Sequence, residues 1–345
     1  MFRVWIAIVM LVLSATGCAV KESQPVISQS VPAVKTLKLA DIPVHDPWIL
    51  AHQETQTYYL YTSAGRRDTG DGRSGVKVYK SKDLQNWQGP YIVYRVPAGI
   101  WANPAHGVWA PEVHFYNGRY YLFITLHNRD KIIDNPPASW RTTHMRGTVV
   151  LVGDSPEGPF EQMQDRPHPP ADFMTLDGTL YIEAGVPWMV YCHEWIQTID
   201  GTMEAVQLKP DLSAAVGEPI HLFKASDAPW LNAGAKVSKE PRSYVTDGPF
   251  LFKTKTGKLL MLWSSYDNGS YVETVARSES GKLAGPWVQL EPIIGGDSGH
   301  GMLFHTFDAK LMLILHQPFR MPLSRAKLYE MKDTGDTVKI KTAMQ

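Results

Sequence analysis

Three aspartates head short apolar runs: Asp46 in His-Asp-Pro-Trp-Ile, Asp177 in Leu-Asp-Gly-Thr-Leu and Asp247 in Thr-Asp-Gly-Pro-Phe. A single Asp-Pro or Asp-Gly pair is an ordinary turn. These three open apolar runs instead of closing hairpins, and they stand at matching places along the chain. Carboxylates gathered in one hollow are costly unless paired or hydrogen-bonded. Acid–base chemistry uses such groups, one carboxyl kept protonated to give a proton and another kept ionised to take one. Two further runs open on Ala110-Pro111-Glu112 and on His300, which is set between Gly299 and Gly301. The runs that follow end in Thr62-Ser63, His127-Asn128, His193-Glu194, Ser264-Ser265 and His316-Gln317. Glu194 and several histidines thereby join the candidates.

Residues so spread need repeated elements to bring them together, and the chain is built of repeats. The openers Asp46, Ala110, Asp177, Asp247 and Gly299 are spaced by 64, 67, 70 and 52 residues. Each unit reads as opener, strand, turn, second strand and one or two more strands. Tyr116-Asn117-Gly118, Ala184-Gly185 and Thr256-Gly257 are hairpin signals. No unit keeps a 3.6-residue apolar period. The fold class is therefore all-β, and the repeats predict a five-bladed β-propeller. A sandwich does not predict five similar units, and β-helix coils are shorter. Inner strands of a propeller run the same way along the axis and second strands run back, so openers and returning ends meet at one mouth. Residues 36–40 are expected to complete the last blade beside the carboxy-terminal strand.

Composition narrows the function. With 34 Lys+Arg against 34 Asp+Glu there is no basic surplus to hold nucleic acid, and 44% hydrophobic residues exclude a disordered chain. No Gly-x-Ser-x-Gly elbow, phosphate loop, dinucleotide fingerprint or His-Glu-x-x-His is present. Two cysteines cannot build a disulfide framework. The opening MFRVWIAIVMLVLSATGC has a basic start, an apolar run too short to span a bilayer, and small residues before Cys18. It reads as residues 1–17 of a lipoprotein-type signal peptide, with Cys18 lipidated and residues 18–35 a flexible tether. The expected location is the bacterial cell envelope, otherwise secretion, with the lipid as the only membrane contact. Residues 36–345 form the propeller, expected to be a monomer. Cys192 is left without a partner and reads as a small buried hydrophobe.

At these residues the chain resembles glycoside hydrolase family 43. The resemblance rests on His45-Asp46-Pro47-Trp48-Ile49, Trp109-Ala110-Pro111-Glu112-Val113, Leu176-Asp177-Gly178-Thr179-Leu180 and Asp247-Gly248-Pro249-Phe250. It implies a five-bladed propeller that cleaves plant-type polysaccharide with inversion, through a general base and a general acid. By resemblance Asp46 is the base, and Asp177 positions the acid and tunes its pKa. The family's fourth-blade opener is Glu-Gly-Pro, whereas this chain has Asp247. The acid is therefore either Asp247 or Glu194, with Glu240 a third option. His45, Trp48, Trp101, Trp109, Glu112, His193, Trp195 and His300 are the candidates for touching sugar, since aromatic faces and polar edges suit a sugar ring. The resemblance also implies that His300 can contact a central calcium, though no cofactor is required. The expected substrate is an oligo- or polysaccharide and the expected activity that of an α-L-arabinofuranosidase or β-xylosidase, with residues 128–146 a wall of the mouth. The rivals are a retaining enzyme with Asp46 as nucleophile and a non-catalytic sugar-binding propeller.

Overall fold

The runs that become the second strands of the blades are rich in apolar residues. Thr57–Ala64, Arg119–Ile132 and Leu259–Asp267 bury consecutive residues, and so both faces, the mark of a sheet covered on both sides. The computed structural model describes residues 1–2, 36–133, 141–231 and 243–343. The chain divides into Met1–Val34 and Lys35–Gln345. The expected signal peptide, Cys18 and the tether lie outside the described residues, as does Glu240. Among the described residues no helix is long and apolar enough to cross a membrane.

Five antiparallel sheets make up the second unit. Blade one holds Leu37–Lys38 (β1), Trp48–His52 (β2), Thr57–Ala64 (β3), Gly75–Ser81 (β4) and Asn86–Arg95 (β5), in the order β1-β5-β4-β3-β2. Blade two holds Val108–Tyr116 (β6), Arg119–Ile132 (β7), His144–Gly153 (β8) and Glu161–Gln162 (β9). Blade three holds Thr175–Glu183 (β10), Val186–His193 (β11), Thr202–Leu208 (β12) and Ala215–Lys224 (β13). Blade four holds Asp247–Lys253 (β14), Leu259–Asp267 (β15), Ser270–Ser278 (β16) and Trp287–Gln289 (β17). Blade five holds Gly299–His305 (β18), Leu311–Gln317 (β19), Arg325–Asp333 (β20) and Val338–Ala343 (β21). Contacts of β2 with β6, β6 with β10, β10 with β14, β14 with β18 and β18 with β2 close the ring. This is a five-bladed β-propeller.

The apolar core lies between neighbouring sheets. Phe123, Val150, Tyr191 and Val206 fill the space between blades two and three, while Cys192, Met203, Met261 and Trp263 fill that between three and four. Each large side chain buried there contributes about 1.5–3 kcal/mol. The segment before blade one departs from expectation. Leu37–Lys38 pairs with Asn86–Trp87 on the outer edge of blade one, not with blade five, whose outer strand is its own β21. The ring is closed instead by Val44, which donates its N–H to the Ser324 carbonyl at 3.2 Å and accepts from Ser324 Oγ at 2.7 Å.

In blades two to five the inner hairpin slips register at its opener. In blade three, Leu176 faces Cys192 and Thr179 faces Val190, so Asp177 and Gly178 together oppose one residue. This is a β-bulge, which bends the strand and re-aims a side chain. Its backbone signature is a positive φ: 49° at Asp46, 43° at Ala110, 56° at Asp177, 52° at Gly248 and 52° at His300. These five residues are the true equivalents. Asp247 and Gly299, read from sequence as openers, stand one residue upstream of theirs. A left-handed residue other than glycine costs roughly 1–2 kcal/mol, and three of the four that carry this cost are Asp46, Asp177 and His300.

Hydrogen bonds from the preceding blade hold the bulges. Asp177 N–H donates to Thr125 Oγ1 at 2.9 Å, His300 N–H to Ser264 Oγ at 2.8 Å and Asp46 N–H to His316 Nδ1 at 3.2 Å. The next N–H is held too: Gly178 by Thr148 Oγ1 at 2.9 Å and Gly301 by Glu273 Oε2 at 2.8 Å. Thr125 pairs with Thr148 and Ser264 with Glu273 across the sheet. Pro47 and Pro249 have no N–H to offer. The corresponding cross-strand pairs are His316 with Ala326 and Cys192 with Met203, each supplying an apolar side chain where no acceptor is needed.

Candidate active site

Asp46 reaches the axis from the bulge of blade one and is ringed by imidazoles. His45 Nδ1 lies 2.8 Å, His300 Nδ1 3.2 Å and His316 Nδ1 3.4 Å from its Oδ1. The three rings play different parts. Burial holds His316 at a pKa of about 4, so it is neutral, and its Nδ1 lone pair takes the Asp46 N–H. His300 is pressed toward neutrality by burial, but the facing carboxyls of Asp46, Asp177 and Asp247 outweigh this and raise its pKa well above the usual value. Burial likewise opposes His45, and Asp46 raises it. Against the penalty of its own burial, Asp46 is held well below the usual carboxylate range by His300 and His45. It is an ionised acceptor near neutral pH.

Asp177 and Asp247 come from consecutive blades and form a second group with His300, their donor atoms lying within 4.8 Å of one another. His300 Nδ1 is 3.6 Å from Asp247 Oδ1 and 3.9 Å from Asp177 Oδ2. Two like charges this close do not both ionise. Burial and the neighbouring Asp247 charge push Asp177 well above its usual pKa. Asp247 pays for burial too, yet hydrogen bonds with Asp177 and His300 draw it down to about 2. Tyr271 adds a donor, its hydroxyl 2.6 Å from Asp247 Oδ2. Burial and the neighbouring charge favour the protonated form of Asp177.

Glu194 follows β11 and precedes a short helix, Trp195–Thr198 (α1). Its N–H donates to the Met174 carbonyl at 2.9 Å. Gln197 Oε1 braces the turn by accepting from Met174 N–H at 2.7 Å. The buried Glu194 carboxylate pairs with Arg146 Nη1 of β8. The Arg146 guanidinium also lies 4.5 Å over the Trp109 ring and donates to His127 Nδ1 at 3.0 Å. Burial raises the Glu194 pKa, and Arg146 opposes this without cancelling it.

A cleft of about 710 Å³ opens over these groups, a size that takes a drug-sized molecule. Asp46, Asp177, Asp247 and Glu194 all line it, with Trp109 and Trp195 among its walls. The profile of Glycosyl hydrolases family 43 matches residues 41–338. The chain belongs to that family. It is 36% identical to the endo-arabinase of Bacteroides thetaiotaomicron VPI-5482, whose crystal structure superposes with a TM-score of 0.75 over 86% of this chain and 96% of that one. It is 24% identical over 294 residues to a putative β-xylosidase of Escherichia coli K12, covering 78% of this chain and 47% of that protein. It is 29% identical over 87 residues to the extracellular endo-α-(1→5)-L-arabinanase 1 of Bacillus subtilis 168, covering 24% of this chain and 25% of that protein. The chain thus spans a quarter to about half the length of these curated relatives.

The other candidates of this family 43 chain fall in three places. His45, Trp109 and Trp195 line the cleft. Trp48, Glu112 and His300 line a void of about 10 Å³ beside Asp46, big enough for about one water. There Trp48 Nε1 donates to the Val113 carbonyl at 3.0 Å, and Glu112 sits 3.0 Å from His114 Nε2. Trp101 and His193 line neither space. Trp101 is buried, its N–H donating to Asp165 Oδ1 at 2.9 Å, and His193 stacks on Phe173 at 4.2 Å and bonds Gln197. Trp48, Trp101, Glu112, His193 and His300 are thus placed outside the cleft lining, in the small void or within the blades.

The void does not fit a calcium cage built from side chains. Calcium takes 6–8 oxygens, and the carboxylates lining it are Asp46 and Glu112, each held by histidine. No step below runs through a metal. Sequence reasoning missed Arg146 and Tyr271, and also Lys77 and Phe319, which line the cleft. Arg146 pairs with His127 across β7 and β8, so extending the returning-end rule by one strand would have found it. Of the 128–146 segment, Arg141 lines the cleft, and residues 134–140 lie outside the described residues.

Proposed function

We propose that the chain is an inverting glycoside hydrolase that cleaves α-L-arabinofuranosyl linkages of arabinan-type glycans. One observation carries the reading: Asp46, held ionised, and Glu194, whose burial favours its protonated form, line one cleft. An inverting site needs this division of labour, with the two carboxyls about 6.5–9.5 Å apart and a water between base and sugar. In this reading Asp46 takes a proton from that water as its oxygen attacks the anomeric carbon. Glu194 gives its proton to the departing glycosidic oxygen. Asp247 is a poorer donor, because it is held at about 2. It and the protonated Asp177 fix the charge around His300, which keeps Asp46 basic only weakly and always ionised. Likeness to the Bacteroides endo-arabinase supports the arabinose specificity over xylose. The Bacillus relative's extracellular description supports export, and the basic, apolar, small-residue start ending at Cys18 supports a lipid anchor.

Incubation with linear α-1,5-arabinan, xylan and galactan, followed by assay of new reducing ends, tests the specificity. Arabinan is expected to be cut at least about tenfold faster than the others, the discrimination that 1.4 kcal/mol supplies. Equal or faster cleavage of xylan would overturn it.

A further inference from the structure

The bulges of blades three and five and of blade one have their opener N–H held by a side chain of the preceding blade: Thr125, Ser264 and His316. These three residues occupy one structural position, opposite the residue that precedes the bulge of their own blade. Blade three fills that position with Cys192, which faces Leu176. Cys192 is fully buried, and its Sγ lies 3.6 Å from Met203 Sδ. A thiol is a weak acceptor, and the opener N–H of the next blade, that of Gly248, goes elsewhere. It donates to Asp177 Oδ2 at 3.2 Å, across the blade boundary and in a buried setting. Gly248 can present its amide there because it has no side chain: at its φ of 52° a Cβ would lie 2.8 Å from His300 Cγ.

We propose that position 192 is kept free of a hydrogen-bonding oxygen so that the Gly248 N–H is left to hold the Asp177 carboxyl, making that amide a positioning group of the site. Cys192 itself touches neither the cleft nor a reacting atom. The Gly248 amide fixes the face that Asp177 turns to Asp247 and His300, and so the charge pattern beside Asp46. A serine at 192 would stand where Ser264 stands in blade four, with an oxygen able to take the opener N–H and release Asp177. This inference rests on the hydrolase reading above for its kinetic test, and on the fold alone for its exchange test.

The kinetic test compares Cys192→Ser with Cys192→Ala on an aryl α-L-arabinofuranoside. The serine variant is expected to lose about tenfold in kcat relative to the alanine variant, the worth of one hydrogen bond, with KM and thermal midpoint alike in the two. Cys192→Thr and Cys192→Val repeat the comparison with a second pair that differs by the same hydroxyl. Serine matching alanine, or both losing kcat equally, overturns the inference. The exchange test needs no activity. Amide exchange at Gly248 should quicken at least about tenfold in Asp177→Ala while the amides of residues 177 and 300 keep their protection. Unchanged protection at Gly248 overturns the inference. A wild-type chain inactive on every arabinoside, with the exchange result as expected, would instead count against the hydrolase reading alone.

Discussion

Asp46, Asp247 and Glu194 are chemically near-identical groups, and their surroundings alone divide the work. His300 and His45 draw Asp46 down, hydrogen bonds with Asp177 and His300 draw Asp247 down, and burial lifts Glu194 despite Arg146. In the proposed reading this makes Glu194 the acid. In Glu194→Gln, cleavage of arabinan should fall by about 10²–10⁴, the worth of general acid catalysis. Cleavage of a dinitrophenyl arabinofuranoside, whose leaving group needs no proton, should fall far less. Asp247→Asn should depress both substrates together. The reverse pattern, measured as kcat/KM on the two substrates, would move the acid to Asp247. The sequence left these two side by side because both sit at the mouth. Only the register of β14, one residue off the repeat, and the hydroxyl of Tyr271 separate them.

Strands and bulges explain why some residues were legible and others not. The bulge is a local motif, a left-handed residue before Pro or Gly, and it repeats. Asp46, Asp177 and His300 could therefore be picked out before any fold was known. Trp48 and Glu112 follow the bulges closely in sequence, but they line the small void beside Asp46 instead of the cleft. Leu37–Lys38 carries too little pattern to say which blade edge it joins. The interblade contacts carry a stability signature of their own. Glu273 holds Ser264 and the Gly301 N–H, and burial lifts its pKa to about 8. A carboxyl raised in the fold binds its proton more tightly than in the unfolded chain, so its contribution is intact below about 4.5 and is lost as pH rises toward about 8. The thermal midpoint of the wild type should fall across that window. Glu273→Gln, which cannot ionise, should fall less steeply, by an amount equivalent to roughly a few kcal/mol at the upper end. Parallel slopes for the two proteins would show that Glu273 is ionised in the fold.

At the scale of the molecule, the wheel converts five separated sequence positions into one hollow. Blades three and four are neighbours and blade one adjoins neither, yet each sends a carboxyl to the same cleft because all inner strands point one way. That much was readable from the spacing of the repeats and from the resemblance to family 43. The Arg146–Glu194 pair was not, because it depends on which side chain of a third strand faces the axis. The account stands on a water held between Asp46 and the sugar, opposite the departing oxygen. Proton NMR of the first arabinose units released from an α-1,5-linked arabino-oligosaccharide tests this most directly. The β-anomer should appear first and equilibrate later. If the α-anomer appears first, the configuration is retained, Asp46 attacks carbon rather than activating water, and the account fails.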